Sequence, residues 1–228
     1  MNHAIVLAGG IGSRMNMNIP KQYYKVGGQP IIMYSIKRLA LNPLISSIVV
    51  VIADEWRSYL TDIIDKESFS SKVIMAEAGK SRQHSVYNGL RALKEYAAED
   101  DKVLVHDAVR PLFPDSNIED GIEACDTFDA ALPVISVKDA TYQSHDGIVL
   151  SNILPRDELY SGQSPECFVF GKYWEAHSRF SDEEIASIRG GSELALRAGL
   201  SVKLIKGTER NFKITTVDDL RAFELIVG

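Results

Sequence analysis

Cysteine is scarce in this chain. Of 228 residues only Cys125 and Cys167 carry a thiol, which leaves no metal-ligand pattern and makes a disulfide framework unexpected. An excess of positive charge is also lacking: 25 Lys and Arg face 31 Asp and Glu, for a net charge of -6. No general field therefore draws the chain to nucleic acid or to an anionic membrane, and any anionic ligand must be held by local cations. No apolar run approaches the roughly 20 residues of a spanning helix. The opening Met1-Asn-His-Ala-Ile5 has no basic segment ahead of a long apolar stretch, so no signal peptide is expected and a cytoplasmic location fits. Repeats and low-complexity linkers are absent. So are a G-x-S-x-G elbow, an H-E-x-x-H pair and any evident nucleophile–base pair, which argues against the common covalent and zinc-hydrolase chemistries.

What is present is an ordinary globular composition, 45% hydrophobic and 25% charged, in a length that suits one large α/β domain or two small ones. Short apolar runs alternate with longer helical patterns. Strands are expected at Ala4–Leu7, Ser47–Ala53, Lys72–Met75, Lys102–His106 and Ser201–Ile205. Helices are expected at Pro30–Leu41 with Pro30 in the first turn, at Arg82–Ala98 with Val86, Leu90 and Leu93 on one stripe, and from Lys172 onward. Thr216 opens the last helix, with Asp219 completing its cap. This order predicts right-handed βαβ units and a mainly parallel sheet flanked by helices. From about Leu132 to Ser164 the rhythm breaks into short extended stretches around Ser144-His-Asp-Gly147, and Asp-Gly is a hairpin signal. The expectation is one domain over residues 1–228 with a β-arm inserted at about 132–164.

The first strand runs straight into Ala8-Gly-Gly-Ile-Gly12. Glycines let backbone N–H groups approach phosphate closely, and open α/β sheets bind ligands at the carboxyl ends of strands. A dinucleotide fingerprint needs a third glycine, but Ser13, Arg14 and Met15 follow, and no acidic residue stands at the ribose distance. A Walker A loop is hinted at by Gly79-Lys80-Ser81, but Ile74 occupies its first glycine position. A plain glycine turn remains open. Arg14 and Lys21, close behind the loop, tilt the reading toward a phosphate cradle, because Arg offers bidentate contacts and Lys a compact point charge.

Leu7-Ala-Gly-Gly-x-Gly-x-Arg-Met15 with Pro20-Lys-Gln-Tyr23 resembles the sugar- and polyol-phosphate nucleotidyltransferases. It is most similar to the polyol-phosphate cytidylyltransferase family, which handles methylerythritol 4-phosphate or ribitol 5-phosphate. Further blocks agree in order across essentially the whole chain: Gly79-Lys-Ser-Arg-Gln-His-Ser-Val-Tyr-Asn-Gly-Leu90, Val105-His-Asp-Ala-Val-Arg-Pro111, Pro155-Arg-Asp-Glu-Leu-Tyr-Ser-Gly-Gln-Ser-Pro165 and Asn211-Phe-Lys-Ile-Thr-Thr216. The resemblance implies a Rossmann-like nucleotide-diphospho-sugar transferase fold and transfer of CMP from CTP to a small polyol phosphate. It implies that Leu7, Ala8, Gly9, Gly10 and Gly12 wrap the nucleotide, and that Arg14, Lys21 and Lys213 stabilise the reacting phosphates. Gly79 and Ser85 match positions at the cytosine and ribose. Asp107 matches a position near the ribose and a divalent cation, Mg²⁺. Arg110, Arg156 and Ser164 match acceptor-binding positions, with the arm reaching across a homodimer. His84 and His106 are read as structural hydrogen-bonding residues.

The chemistry would be in-line attack of the acceptor phosphate on the α-phosphorus with release of pyrophosphate. A phosphate monoester has a second pKa near 6, so the nucleophile is already largely ionised and needs no general base. Three stretches depart from the family. Ile188-Arg-Gly-Gly-Ser-Glu193 lacks a Thr-Asp common among relatives. Thr141 follows Lys138-Asp-Ala140 rather than the usual placement. Ser164-Pro-Glu166 stands where Thr-Pro-Gln is usual, while Tyr160-Ser-Gly-Gln-Ser-Pro165 is more similar to the ribitol-phosphate branch. A UTP- or ATP-using sugar-phosphate nucleotidyltransferase and a non-catalytic nucleotide-binding protein are the alternatives.

Overall fold

The computed structural model describes residues 1–10 and 19–228. Along them run β1 (Asn2–Leu7), a small hairpin of β2 (Lys25–Val26) and β3 (Gln29–Pro30), α1 (Ile31–Leu41), β4 (Ser47–Ile52), α2 (Asp54–Ile64), β5 (Val73–Glu77), α3 (Arg82–Leu93) and β6 (Lys102–Asp107). The second half contains α4 (Ser116–Ala124), β7 (Ala130–Ser136), β8 (Thr141–Gln143), β9 (Asn152–Leu154), β10 (Tyr160–Gly162), β11 (Glu166–Val169), α5 (Phe170–Ser178), α6 (Asp182–Ser187), α7 (Gly191–Arg197), β12 (Val202–Lys206) and α8 (Val217–Val227).

The central sheet has the order β10-β7-β11-β6-β1-β4-β5, with β12 beside β7. β5, β4, β1 and β6 are mutually parallel, as the βαβ alternation predicts, and β12 is parallel to β7. β10, β7, β11 and β6 pair antiparallel, so the sheet is mixed rather than uniformly parallel. Side chains alternate between two covered faces. Ala4, Val6, Ile48, Val50 and Leu104 pack with Ile32, Ile36, Leu39 and Leu60 on one side. Ile5, Val49, Val51, Val103 and Val105 pack with Val86, Leu90, Leu93 and Tyr173 on the other. Each such fully buried aliphatic contributes about 1.5–3 kcal/mol. A third cluster of Val26, Ile31, Val109, Ile214, Leu220 and Phe223 docks α8 and fixes the segment that carries Lys213.

Several boundaries differ from expectation. Pro30 precedes α1 as its N-cap rather than lying in the first turn. α3 ends at Leu93 rather than Ala98; residues beyond it form turns, with Ala98 N–H donating to the Asp101 carboxylate. Residues 132–136 belong to β7 in the main sheet, and only β8 and β9 form a separate antiparallel ribbon, pairing Thr141 with Leu154 and Gln143 with Asn152. Its tip is a loop longer than a two-residue turn, tied by the Asp146 carboxylate accepting from Ile148 N–H and Val149 N–H. The expected cap of α8 is present in full: Thr216 Oγ1 accepts from Asp219 N–H, and the Asp219 carboxylate accepts from Thr216 N–H. Among the described residues, no helix is long and apolar enough to cross a membrane.

Candidate active site

β1 and β6 lie side by side in parallel, with Leu7 opposite Asp107. Their carboxyl ends open into a cleft of about 570 Å³. It brings together Leu7, Gly9, Gly10, Lys21, Gly79, Ser85, Asp107 and Lys213 from the expected site residues, and adds Gln22, Lys80, Ser81 and Arg82. Ala8 is buried behind this wall. Gly12 and Arg14 lie outside the described residues.

The glycine loop is gripped from behind. Ala8 N–H donates to Val51 C=O. Gln22 Nε2 donates to the carbonyls of Ala8 and Gly10 at 2.7 Å each, and Tyr23 Oη donates to Ala8 C=O at 3.2 Å. Tyr23 is itself buried and stacked on Trp56, ring centroids 4.4 Å apart. Pro20-Lys-Gln-Tyr therefore works as one unit in which Gln22 and Tyr23 hold the loop carbonyls while Lys21 faces the cleft. Gly9 has no room for a side chain, because a Cβ would lie 2.4 Å from Ala78 Cβ.

The opposite wall is the start of α3. Ser81 caps it, accepting from His84 N–H at 3.3 Å. A helix N-terminus favours anions through its unpaired N–H groups and its dipole. A Cβ on Gly79 would lie 2.4–2.7 Å from His84 and Ser85 atoms, and Gly79 N–H donates to Ser85 Oγ at 3.0 Å. Ser81, His84 and Asp182 have the composition of a hydrolase triad. Ser81 Oγ lies 2.8 Å from His84 Nδ1 while it also accepts the capping His84 N–H, but His84 Nε2 lies 3.7 Å from an exposed Asp182 oxygen, too far for a hydrogen bond to orient the ring.

Asp107 is the electrostatic hub. Its Oδ1 accepts from Arg82 Nε at 3.4 Å and Nη2 at 3.3 Å, and its Oδ2 accepts from Lys213 Nζ at 2.8 Å. Burial raises its pKa, but Arg82 and Lys213 win and hold the carboxyl far below the usual carboxylate range. Lys213 is placed by its neighbours: Ile214 N–H donates to Val109 C=O, and buried Asn211 donates through Nδ2 to Ser164 C=O. Arg110 donates to the carbonyls of Asn211 and Gly162, so its guanidinium is oriented by neutral acceptors and its charge is left uncompensated by them. Ser164 is buried; its Oγ accepts from Asp107 N–H at 3.1 Å and lies 3.1 Å from His106 Nδ1. His106 completes its bonding at Ser35 Oγ, as the structural reading expected. Arg156 stands apart on the arm, exposed, donating to Lys138 C=O at 3.4 Å.

Asp107 is also the one carboxylate among the described lining residues, and no group of three or more metal-ligating side chains occurs among the described residues. Mg²⁺ typically binds through one or two carboxylates plus phosphate oxygens and water. A carboxylate has about four lone-pair sites, so Asp107 can hold Arg82 and Lys213 and still accept such an ion. The donor set therefore fits Mg²⁺ carried in with a polyphosphate.

Burial pushes His106 down to about 3, with Arg110 and Lys213 adding to the depression and Asp107 opposing it. Burial likewise pushes His177 down to about 4, with His84 nearby. Both rings are neutral in the fold and titrate near 6.5 once unfolded. Their contribution to stability is complete above pH 6.5 and is lost as pH falls toward 4, with a slope of up to about 1.4 kcal/mol per pH unit for each group. Thermal melts should show the melting temperature falling from pH 7 to pH 4.5. His177→Phe, which keeps ring contacts with Tyr87 and Tyr173, should flatten that slope. An unchanged slope would remove His177 from the account.

The whole chain finds relatives. Residues 2–228 match the IspD family, described as 2-C-methyl-D-erythritol 4-phosphate cytidylyltransferase. The ribitol-5-phosphate cytidylyltransferase of Streptococcus pneumoniae serotype 2 is 34% identical over 226 residues, covering 97% of this chain and 96% of its own. The 2-C-methyl-D-erythritol 4-phosphate cytidylyltransferase of Francisella tularensis superposes with a TM-score of 0.82 at 27% identity, covering 99% of each chain. The 4-diphosphocytidyl-2C-methyl-D-erythritol synthase of Anaerococcus prevotii matches in fold, with a TM-score of 0.84 at 22% identity, covering 100% of this chain and 96% of that one. With a glycine loop, a helix N-terminus and a cation-flanked aspartate arranged on this sheet, the chain belongs to the IspD cytidylyltransferase family and is a cytidylyltransferase.

Proposed function

We propose that the chain transfers CMP from CTP to ribitol 5-phosphate, releasing pyrophosphate. The observation that carries the reading is the convergence of Lys21, Lys80, Arg82 and Lys213 on one cleft with a single acid, Asp107. Such a site offers charge and position, which is what displacement by an already ionised phosphate requires. The backbone of Ala8 to Gly10 and the start of α3 cradle the nucleotide, with Gly79 and Ser85 at the base and ribose. Lys21 stabilises charge at the α-phosphorus, together with Arg14 outside the described residues. Asp107 would hold Mg²⁺, and the ion would supply charge neutralisation for the polyphosphate. Lys213 and Arg110 meet the acceptor phosphate, and Ser164 supports Asp107 from behind.

Acceptor choice belongs to the arm. Its apolar side chains Tyr142, Ile148, Val149, Leu150 and Ile153 are exposed, and Arg156 is not among the described residues that line the cleft. A second copy would cover this face and receive Arg156 at its acceptor site, in the cytoplasm where CTP is available. The ribitol-phosphate acceptor is favoured by the pneumococcal relatives and by Tyr160-Ser-Gly-Gln-Ser-Pro165. Methylerythritol 4-phosphate is the second reading, favoured by the family match. The test is kcat/KM on the two acceptors with CTP and Mg²⁺. Preference for ribitol 5-phosphate by at least about tenfold, or about 1.4 kcal/mol, supports the first reading, and the reverse ratio the second.

A further inference from the structure

Glu166 is almost fully buried, 6% exposed, at the start of β11 and opposite Val105 of β6. Its two oxygens serve two elements. Oε1 accepts from Arg82 Nη2 at 3.1 Å, and Oε2 accepts from Ser192 N–H at 2.7 Å and Ser192 Oγ at 2.8 Å, in the first turn of α7. The same Arg82 Nη2 also donates to Asp107 Oδ1. Gly191 makes this approach possible, since a Cβ there would lie 2.8 Å from Tyr173 Oη, 2.9 Å from Phe168 Cζ and 3.0 Å from Glu166 Oε2. The Arg189-Gly-Gly191 stretch and the glutamate after Ser164-Pro165 are thus two halves of one contact.

We infer that Glu166 is a positioning residue for Asp107, acting through Arg82, and that Ser192 anchors it. A guanidinium held by one carboxylate can swing with it; held by two, its plane is set, and with it the orientation of Asp107 Oδ1. Glu166 also divides the charge of Arg82, so Asp107 keeps more of its own for the metal and Lys213.

The inference rests on the cytidylyl-transfer reading. Pyrophosphate release by the wild-type chain is measured alongside, so failure of that reading shows there and failure of this one only in the mutants. The experiment is a double-mutant cycle of Glu166→Gln and Arg82→Gln. Glu166→Gln alone should lower kcat per folded molecule at least about tenfold, with KM for CTP within about threefold of wild type. In the Arg82→Gln background it should lower kcat less than about twofold, because the residue it acts through is gone. Equal factors in both backgrounds, or an unchanged kcat in Glu166→Gln, would overturn the inference. Ser192→Ala, which keeps both charges, guards against a folding defect in Glu166→Gln. It should lower kcat about threefold with Arg82 present and not without it, and the same loss in both backgrounds would count against the relay.

Discussion

Lys21→Ala is expected to cut turnover at least about a hundredfold, equivalent to about 2.7 kcal/mol of transition-state stabilisation, with little change in melting temperature. The separation follows from how the Pro20-Lys-Gln-Tyr23 turn is built. Its anchors are Gln22 and Tyr23, both buried and both bonded to the loop carbonyls. Lys21 faces the cleft. Alanine removes the cation and leaves the anchors. Because charge builds at the α-phosphorus during transfer, the loss should fall on kcat more than on KM for CTP. Initial rates of pyrophosphate release across CTP concentrations check this. Near-normal kcat would strip Lys21 of its role.

Asp107→Asn should be as severe and should also cost stability. The neutral amide can accept from only one of the two cations now bonded to the carboxylate, and its NH₂ would face the other. Arg82 retains Glu166, so the fold should lose about 1–3 kcal/mol rather than the larger penalty of an abandoned buried charge. Turnover should fall at least about a hundredfold, since the placement of Lys213 and the proposed metal seat are lost together. Denaturant melts and initial rates give the two numbers. A variant that keeps both stability and rate would show that Asp107 is a bystander.

Much of this was legible in the sequence, for physical reasons. The β-branched run in β4 and the apolar β1 and β6 could only be strands covered on both faces. The glycine loop behind β1 had to lie at a carboxyl end, and Thr216 with Asp219 spelled a capping box. Ser164 and His106 illustrate the limit: the resemblance reads Ser164 as an acceptor contact and residue type reads His106 as a structural hydrogen-bonder, but only the fold places both behind Asp107. Arg82 went unremarked because an arginine in the first turn of a helix reads as surface. Its partners Asp107 and Glu166 stand 25 and 84 residues further along the chain, and pairings that distant leave no local pattern. Gln22 was overlooked beside Lys21 for a similar reason, since its work is on the carbonyls of a loop behind it. The expected arm from about Leu132 to Ser164 takes in β10 and most of β7, because Pro133 and short extended pieces hide core-sheet strands.

The central claim is that the acceptor's phosphate oxygen attacks the α-phosphorus of CTP and that pyrophosphate is the sole leaving group. It is tested most directly by following CTP, Mg²⁺ and ribitol 5-phosphate with ³¹P NMR as the chain turns over. The account predicts one CDP-polyol and one pyrophosphate for each CTP consumed, with no CMP or inorganic phosphate. Release of CMP or phosphate without the diphosphate linkage, or no consumption of CTP with any polyol phosphate, would contradict it.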